Sequence, residues 1–407
     1  MAAGAATTPS ERVAALDGLR GVAILWVLWH QLVVIPTPDA LTRLVTWPAS
    51  VGWVGVQLFF VLSGFLITGV LLDTRDAPRR ASSFYARRAL RILPLYLLLL
   101  TVVFGAAASA GGGLGVDRLS RWQVAGYWLL LGNWSQMAAD DLLIGPLAVT
   151  WSVAIEEQFY LLWPLVVWTL PRRAFAVTCC LLVAAAVGFR LWALSRGWGD
   201  VSVYVATPGR LDALAIGAIA AVAARSEWNP PAWVTPLAVT CVVSAAAIDL
   251  VGSLAADGPT YFCPRGSLGV GMTLGAIAAG ALVGRMADGR KPIAAARWLE
   301  ADWLRSWGRY SYGVYLTHGP IRAVVRDHLY GPGIDASPLV AFPAVGGSLL
   351  PAWLVYVALC LPLCWLAGKA SYKLVERPAL RLKRRFPAGE SSQPPVASSA
   401  SSDSAGS

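Results

Sequence analysis

Ten apolar stretches of about 16–22 residues recur along the chain, at 19–36, 52–72, 89–110, 152–170, 174–194, 210–225, 233–251, 267–286, 308–328 and 350–371. No other feature constrains the fold as much. About 20 apolar residues in a helix cross the hydrocarbon of a bilayer, and in lipid only helices and closed barrels satisfy their own backbone. The composition agrees: 14% of residues are charged and 57% are apolar, whereas a soluble domain carries about 25% charged residues to cover its surface. A soluble globular enzyme is thereby excluded, and so is intrinsic disorder, because so apolar a chain collapses. The 19 Trp residues fit a protein with two membrane interfaces to anchor. The expected fold is all-α, a polytopic membrane bundle of about ten transmembrane helices.

The net charge of +10 reads as loop charge that sets topology rather than as a nucleic-acid footprint. With the N-terminus inside, the inner segments hold 24 of the 33 Lys and Arg residues, so both termini are expected in the cytoplasm. Two heavy inner patches, Arg75 to Arg91 and Arg285 to Arg309, are expected in loops. The expected location is the plasma membrane, with many passes. Residues 1–15 are polar or small and are expected to be disordered, residues 16–385 to form one membrane domain, and residues 386–407 to be a disordered Ser-rich tail. The segment 122–132 is too short to cross and is expected to be re-entrant or interfacial. Gly111 to Gly115 read as a flexible outer linker. The six Cys include no C-x-x-C pair, so neither a metal nor a redox centre is expected.

A charge inside an apolar span costs at least ~2.5–3.5 kcal/mol on insertion scales, so each needs a reason. His30 lies ten residues beyond Arg20 in the first stretch, about 15 Å along a helix. An imidazole there can accept a proton near neutral pH. Ser63-Gly64 reads as close helix packing. Arg87 and Arg91 share a helical face, and arginine suits phosphate, although a topology signal explains the same charges. Glu156 and Glu157 are adjacent, about 100° apart on a helix, so at least one is expected to face the protein interior. Its role would be to orient an imidazole or to act as an acid or base. Trp151 and Trp163 are expected to mark the interfaces. His318 shares a face with Tyr315 and Ser311, and a structural hydrogen bond or a substrate contact fits it equally. Arg210 with Asp212, and Glu376 with Arg377, read as structural pairs.

Seven strings stand in order: LDGLRGVA with a following His, GVQLFFVLSGFLI, FYARRALRILP, TWSVAIEEQFYLLWP, GRLDALAIG, YSYGVYLTHGPI and YKLVERP. Together they resemble the acyltransferase-3 family of integral-membrane O-acyltransferases, over residues 16 to about 380. The resemblance implies an enzyme that moves a short acyl group, such as acetyl, from cytoplasmic acyl-CoA to a hydroxyl of a carbohydrate or glycosylated acceptor. That acceptor would be a cell-envelope glycan or a glycosylated natural product such as a macrolide. Acyl-CoA would be a co-substrate, with no bound cofactor and no metal. Carried over by position, His30 and Glu157 would be catalytic, and Arg20, Arg88 and Arg91 would hold acyl-CoA. Glu156, Tyr315 and His318 would serve the acceptor or the structure. Direct transfer and a transient acyl-imidazole both fit. The chain departs from the family pattern at one point: nine residues separate Arg20 from His30 where ten are usual, which leaves the two about 80° apart on an ideal helix. No room for a fused hydrolase-like domain follows residue 380, so a transferase module alone is expected. The rival reading is a multi-span transporter or flippase of a glycan or lipid-linked intermediate. Against it stands the lack of an internal repeat with Gly/Pro-broken helices.

Overall fold

A computed structural model describes residues 9–33, 39, 41–42, 44–46, 51–109, 116–142, 145–226, 234–255, 265–288, 296–331 and 342–387. The expected linker 111–115 and nearly all of the tail lie outside the described residues. The main helices are α1 (Pro9–Leu32), α2 (Trp53–Asp73), α3 (Arg80–Ser109), α4 (Arg121–Trp128), α5 (Gly132–Ala139), α6 (Thr150–Thr169), α7 (Arg172–Ser195), α8 (Leu211–Ala224), α9 (Val234–Ala255), α10 (Met272–Asp288), α11 (Asp302–Tyr330) and α12 (Leu350–Ser371). Among the described residues the β structure is limited to one bridge, Val345 with Ser348. The fold is all-α, and the described residues of each of the ten apolar stretches lie largely on a helix. Among the described residues, six helical segments are long and apolar enough to cross a membrane: α2, α3, α7, Thr207–Ala224, Ser267–Ala287, and the helix running on from Leu350.

The outer surfaces of these helices are apolar. Leu181, Leu191 and Trp192 on α7, and Leu354, Val355, Leu363 and Leu366 on α12, are exposed. A helix that is apolar on its outer face as well as its inner one is stable only in a membrane or a large core. The protein is therefore a membrane protein.

Several sequence expectations are corrected. Helix α3 starts at Arg80, so Arg80, Arg87, Arg88 and Arg91 stand on a helix rather than in a loop. No breaker separates Arg80 from Leu93, and the good helix formers there extend the apolar span downward. Helix α1 begins at Pro9, a residue suited to a first turn. Trp151 and Trp163 are core residues, 4% and 2% exposed, rather than interface anchors. Trp163 donates to Thr68 Oγ1 at 2.8 Å. The segment 122–132, too short to cross as expected from its sequence, is split into two short helices: α4 opens with a Ser120–Gln123 capping box, Leu130 turns the chain at φ 60°, and α5 begins two residues later.

Beyond α1, Asp39 ties two distant segments together. Its carboxylate accepts from Thr42 Oγ1 at 2.5 Å and from the amides of Thr42 at 3.1 Å and Leu349 at 2.9 Å. Those donors, the Thr42 hydroxyl first, hold its pKa well below the usual carboxylate range.

Helix α2 is the pivot of the bundle, packed against α1, α6, α8 and α10. It meets α8 at two glycines. A Cβ on Gly64 would run into the backbone carbonyl of Leu214, and one on Gly217 into that of Val61. Small residues at such a crossing let membrane helices approach backbone to backbone. Gly64→Val is expected to destabilise the fold by about 1–3 kcal/mol, the range for overpacking. A thermal melt in detergent checks this; an unchanged midpoint would show that the crossing can open without cost.

Candidate functional site

Helices α1, α2, α3, α6 and α11, with the turn Leu382–Arg385 that follows α12, enclose a cavity of about 340 Å³. Helical periodicity brings its polar groups together. On α3, Arg88, Arg91 and Ile92 fall at i, i+3 and i+4 on one face. On α6, Ser152 and Glu156 are one turn apart, with Tyr160 one turn further. On α11, Ser311, Tyr312 and Tyr315 line the wall, and α1 contributes Arg20. Val56, Phe59, Phe60 and Leu62 of α2 form an apolar side.

The centre is a hydrogen-bonded chain. Tyr160 Oη donates to Glu156 Oε2 at 2.9 Å and is hydrogen-bonded to Ser63 Oγ. The Arg88 guanidinium lies 3.9 Å over the Tyr160 ring, an arrangement that gains strength when desolvated. Tyr315 Oη and Ser152 Oγ pair at 2.7 Å, and Tyr312 Oη donates to the Ile92 carbonyl at 2.8 Å. Arg88 Nε and Ser311 Oγ are buried without a hydrogen-bond partner. Buried donors are nearly always satisfied, so these two are groups that a bound ligand would meet.

The charges are partly balanced. Glu156 stands within electrostatic reach of Arg88 and Arg20. Asp17 stands near Arg20, Glu157 near Arg88, and Glu376 near Arg91 and Arg20. Four cations, Arg20, Arg88, Arg91 and Lys383, thus stand among four carboxylates, of which only Glu156 lines the cavity. Cationic groups at one end and an apolar wall with hydroxyls at the other suit a ligand with an anionic head and an uncharged arm. Among the described residues no cluster of three His, Cys, Asp or Glu could hold a metal.

The structure brings Arg20, Arg88, Arg91, Glu156 and Tyr315 to one cavity. It does not bring His30, Glu157 or His318 into the lining. His30 is half-buried in the last turn of α1. Glu157 turns away from the cavity, and one of its carboxylate oxygens is buried without a hydrogen bond; the charged groups felt at Glu157 are Arg88 and Glu156. His318 is buried one turn beyond Tyr315, with Nδ1 2.7 Å from the Tyr315 carbonyl and Nε2 unpartnered.

Two expected pairs are corrected. Asp212 pairs with Arg190 at 3.0 Å rather than with Arg210. Arg210 instead donates to the Tyr204 carbonyl at 2.7 Å and to Gln57 Oε1 at 3.1 Å. The two residues are 200° apart on a helix, so they face opposite sides. Glu376 turns inward, 3% exposed, and makes no salt bridge with Arg377. Ser63, Tyr160, Tyr312 and Lys383 were not foreseen as site residues. The i, i+4 spacing of Glu156 and Tyr160 was the available signal for one of them.

Comparison with known proteins adds the chain's relationships. An acyltransferase-domain family model, that of the acyltransferase-3 family, matches residues 13–368. The chain is 34% identical over 159 residues to the peptidoglycan O-acetyltransferase OatA of Listeria monocytogenes, covering 37% of this chain and 24% of that protein. It is 31% identical over 248 residues to the O-acetyltransferase OatA of Staphylococcus aureus strain NCTC 8325, covering 58% of this chain and 38% of that protein. A third relative, from Staphylococcus aureus strain COL, is 32% identical over 218 residues, covering 51% of this chain and 34% of that protein. The chain thus spans well under half the length of these curated relatives. No solved structure matches it. With a match that runs through most of the bundle and takes in Arg20, Arg88, Arg91 and Glu156, the chain belongs to the acyltransferase-3 family.

Proposed function

We propose that this protein is an O-acyltransferase of the plasma membrane, with ten spans and both termini in the cytoplasm. It moves a short acyl group from acyl-CoA to a hydroxyl of a carbohydrate or glycosylated acceptor. The observation that carries this reading is the cavity of about 340 Å³, whose cationic end meets an apolar, hydroxyl-lined interior. Arginine is the side chain best matched to phosphate. The positive-inside distribution puts the Arg88 and Arg91 end in the cytoplasm, where acyl-CoA is available.

In this mechanism the phosphates of the donor rest on Arg88 and Arg91, with Arg20 above them. The pantetheine arm runs along α1 and carries the thioester towards His30, about 15 Å beyond Arg20. The acceptor oxygen attacks the thioester carbonyl carbon, and His30 takes the hydroxyl proton. The C–S bond then breaks, the imidazolium returns the proton to the departing sulfur, and coenzyme A leaves as the thiol. Glu156, held by Tyr160, keeps the arginines fixed, and Glu157 serves the same end from behind Arg88. The relatives named as acetylating peptidoglycan or acting as O-acetyltransferases support acetyl as the group and a glycan as the acceptor. They give no support to a transporter or flippase.

The test is thiol release from acetyl-CoA by the purified full chain in lipid nanodiscs, with saccharide fragments of cell-envelope glycan as acceptors. The expected result is acceptor-dependent release of coenzyme A and an acceptor heavier by one acetyl group. A chain that neither binds coenzyme A nor consumes acetyl-CoA would end the reading.

A further inference from the structure

A second cavity, of about 400 Å³, adjoins the first and shares Arg88, Arg91 and Lys383 with it. This volume lies within the roughly 300–1,000 Å³ of small-molecule sites. Arg80 and Arg87 from α3 add two more cations to its wall, and Asp73 from the end of α2 is its single carboxylate. That carboxylate is already committed, because Arg225 binds both of its oxygens at 2.7 Å. Arg80 is occupied as well, stacked 4.9 Å over the Trp168 ring. Among the described residues Arg88, Arg91 and Lys383 form no salt bridge.

The turn Leu382–Arg385 brings Lys383 here. Arg87 donates to the Phe386 carbonyl at 3.3 Å, which fastens this turn to α3. Lys383 thus stands half-buried at the junction of the two cavities, beside Arg87, Arg88 and Arg91. Glu156 lines the first cavity and not the second, so the one carboxylate on this wall is the committed Asp73, and like charges gathered along it repel one another unless an anion joins them. An ammonium serves phosphate as a point charge, where the arginines offer a planar fork. Lys383 also lies beyond the stretch that the family model matches, 13–368.

We infer that the second cavity holds the phosphorylated nucleoside end of the donor, and that Lys383 binds its phosphate at the neck between the two chambers. The inference rests on the reading that acyl-CoA supplies the acyl group. The donor is bent across the neck: its phosphates lie among Arg87, Arg88, Arg91 and Lys383, and its arm enters the central cavity. An anionic lipid headgroup offers the same phosphate chemistry, and the experiment separates the two sources.

The experiment titrates coenzyme A and dephospho-coenzyme A into the full chain in neutral-lipid nanodiscs, then repeats the titration with anionic lipid. Lys383→Ala is expected to weaken coenzyme A binding about tenfold, the cost of one hydrogen bond to a charged group. Lys383→Arg is expected to recover most of it. For acetyl-CoA, KM is expected to rise by a similar factor while kcat stays within about twofold, since a merely structural loss would lower kcat and the melting temperature together. In the wild-type protein, coenzyme A is expected to shield Lys383 from an amine-modifying reagent, read by mass spectrometry. This arm requires no variant to fold. If wild type binds coenzyme A while Lys383→Ala binds it equally well, or Lys383 stays unshielded, the inference falls and the reading of the function stands. If wild type binds no coenzyme A at all, the reading falls and takes the inference with it. If the substitution abolishes only the effect of anionic lipid, the chamber is a lipid site and the inference is overturned.

Discussion

His30→Ala is expected to lower acyl transfer by about 10²–10⁴-fold, the usual contribution of a positioned general base. Binding of coenzyme A should be unchanged. The reason is distance: Arg20 lines the cavity, and His30 sits ten residues further along the same helix, about 15 Å away. A residue so far from the cationic end has no part in holding phosphates. The measurement is transfer of a labelled acetyl group, run beside a coenzyme A titration on the same preparation. The competing base is Glu156, which lies in the cavity itself. If His30→Ala transfers at the wild-type rate, His30 is not the base and the carboxylate inherits the role. If transfer and coenzyme A binding fall together, His30 supports the structure of the donor site instead. Only loss of transfer with retained binding places the imidazole at the acceptor.

The sequence carried the helices far better than the partners of their side chains. Runs of about 20 apolar residues mark helices whatever their neighbours are, and the described residues of each of the ten runs lie largely on one. Periodicity on a single helix was legible in part: Ser311 and Tyr315 share a face and both line the cavity, whereas of Arg87 and Arg91, also on one face, only Arg91 does, and Arg88 stands beside it. Contacts between helices were not. Asp212 sits two residues from Arg210, and adjacency in the chain suggested a pair. Yet the two point opposite ways, and the partner of Asp212 is Arg190, on a different helix. The resemblance points to Glu157, but a spacing of one residue cannot tell which carboxylate turns inward, and Glu156 is the one that lines the cavity. Ser63-Gly64 reads as a packing pair in the chain, and the hydrogen bond of Ser63 to Tyr160 comes from α6. Lys383 gave no signal at all, since its place depends on how a basic turn folds back onto α3.

Arg190→Met is expected to destabilise the protein by about 3–5 kcal/mol, the cost of leaving a buried charge without its partner. Arg190 and Asp212 are both fully buried. Arg190 Nε donates to the Gly269 carbonyl at 3.1 Å, another of its nitrogens to the Gly209 carbonyl, and a third to Thr273 Oγ1 at 2.5 Å. Thr273 Oγ1 in turn donates to Asp212 Oδ2 at 2.5 Å. One guanidinium therefore joins α7 to α8 and to α10, and methionine fills its volume but replaces none of these bonds. The double variant Arg190→Met/Asp212→Leu is expected to recover most of the loss, because it removes the orphaned charge along with its partner. Thermal melts of both variants in detergent decide the matter. A single variant as stable as wild type would mean that the Asp212 carboxylate finds another partner or takes up a proton. Recovery in the double variant, with acyl transfer restored at the same time, would show that this pair holds the bundle in place around the cavity and has no part in the chemistry.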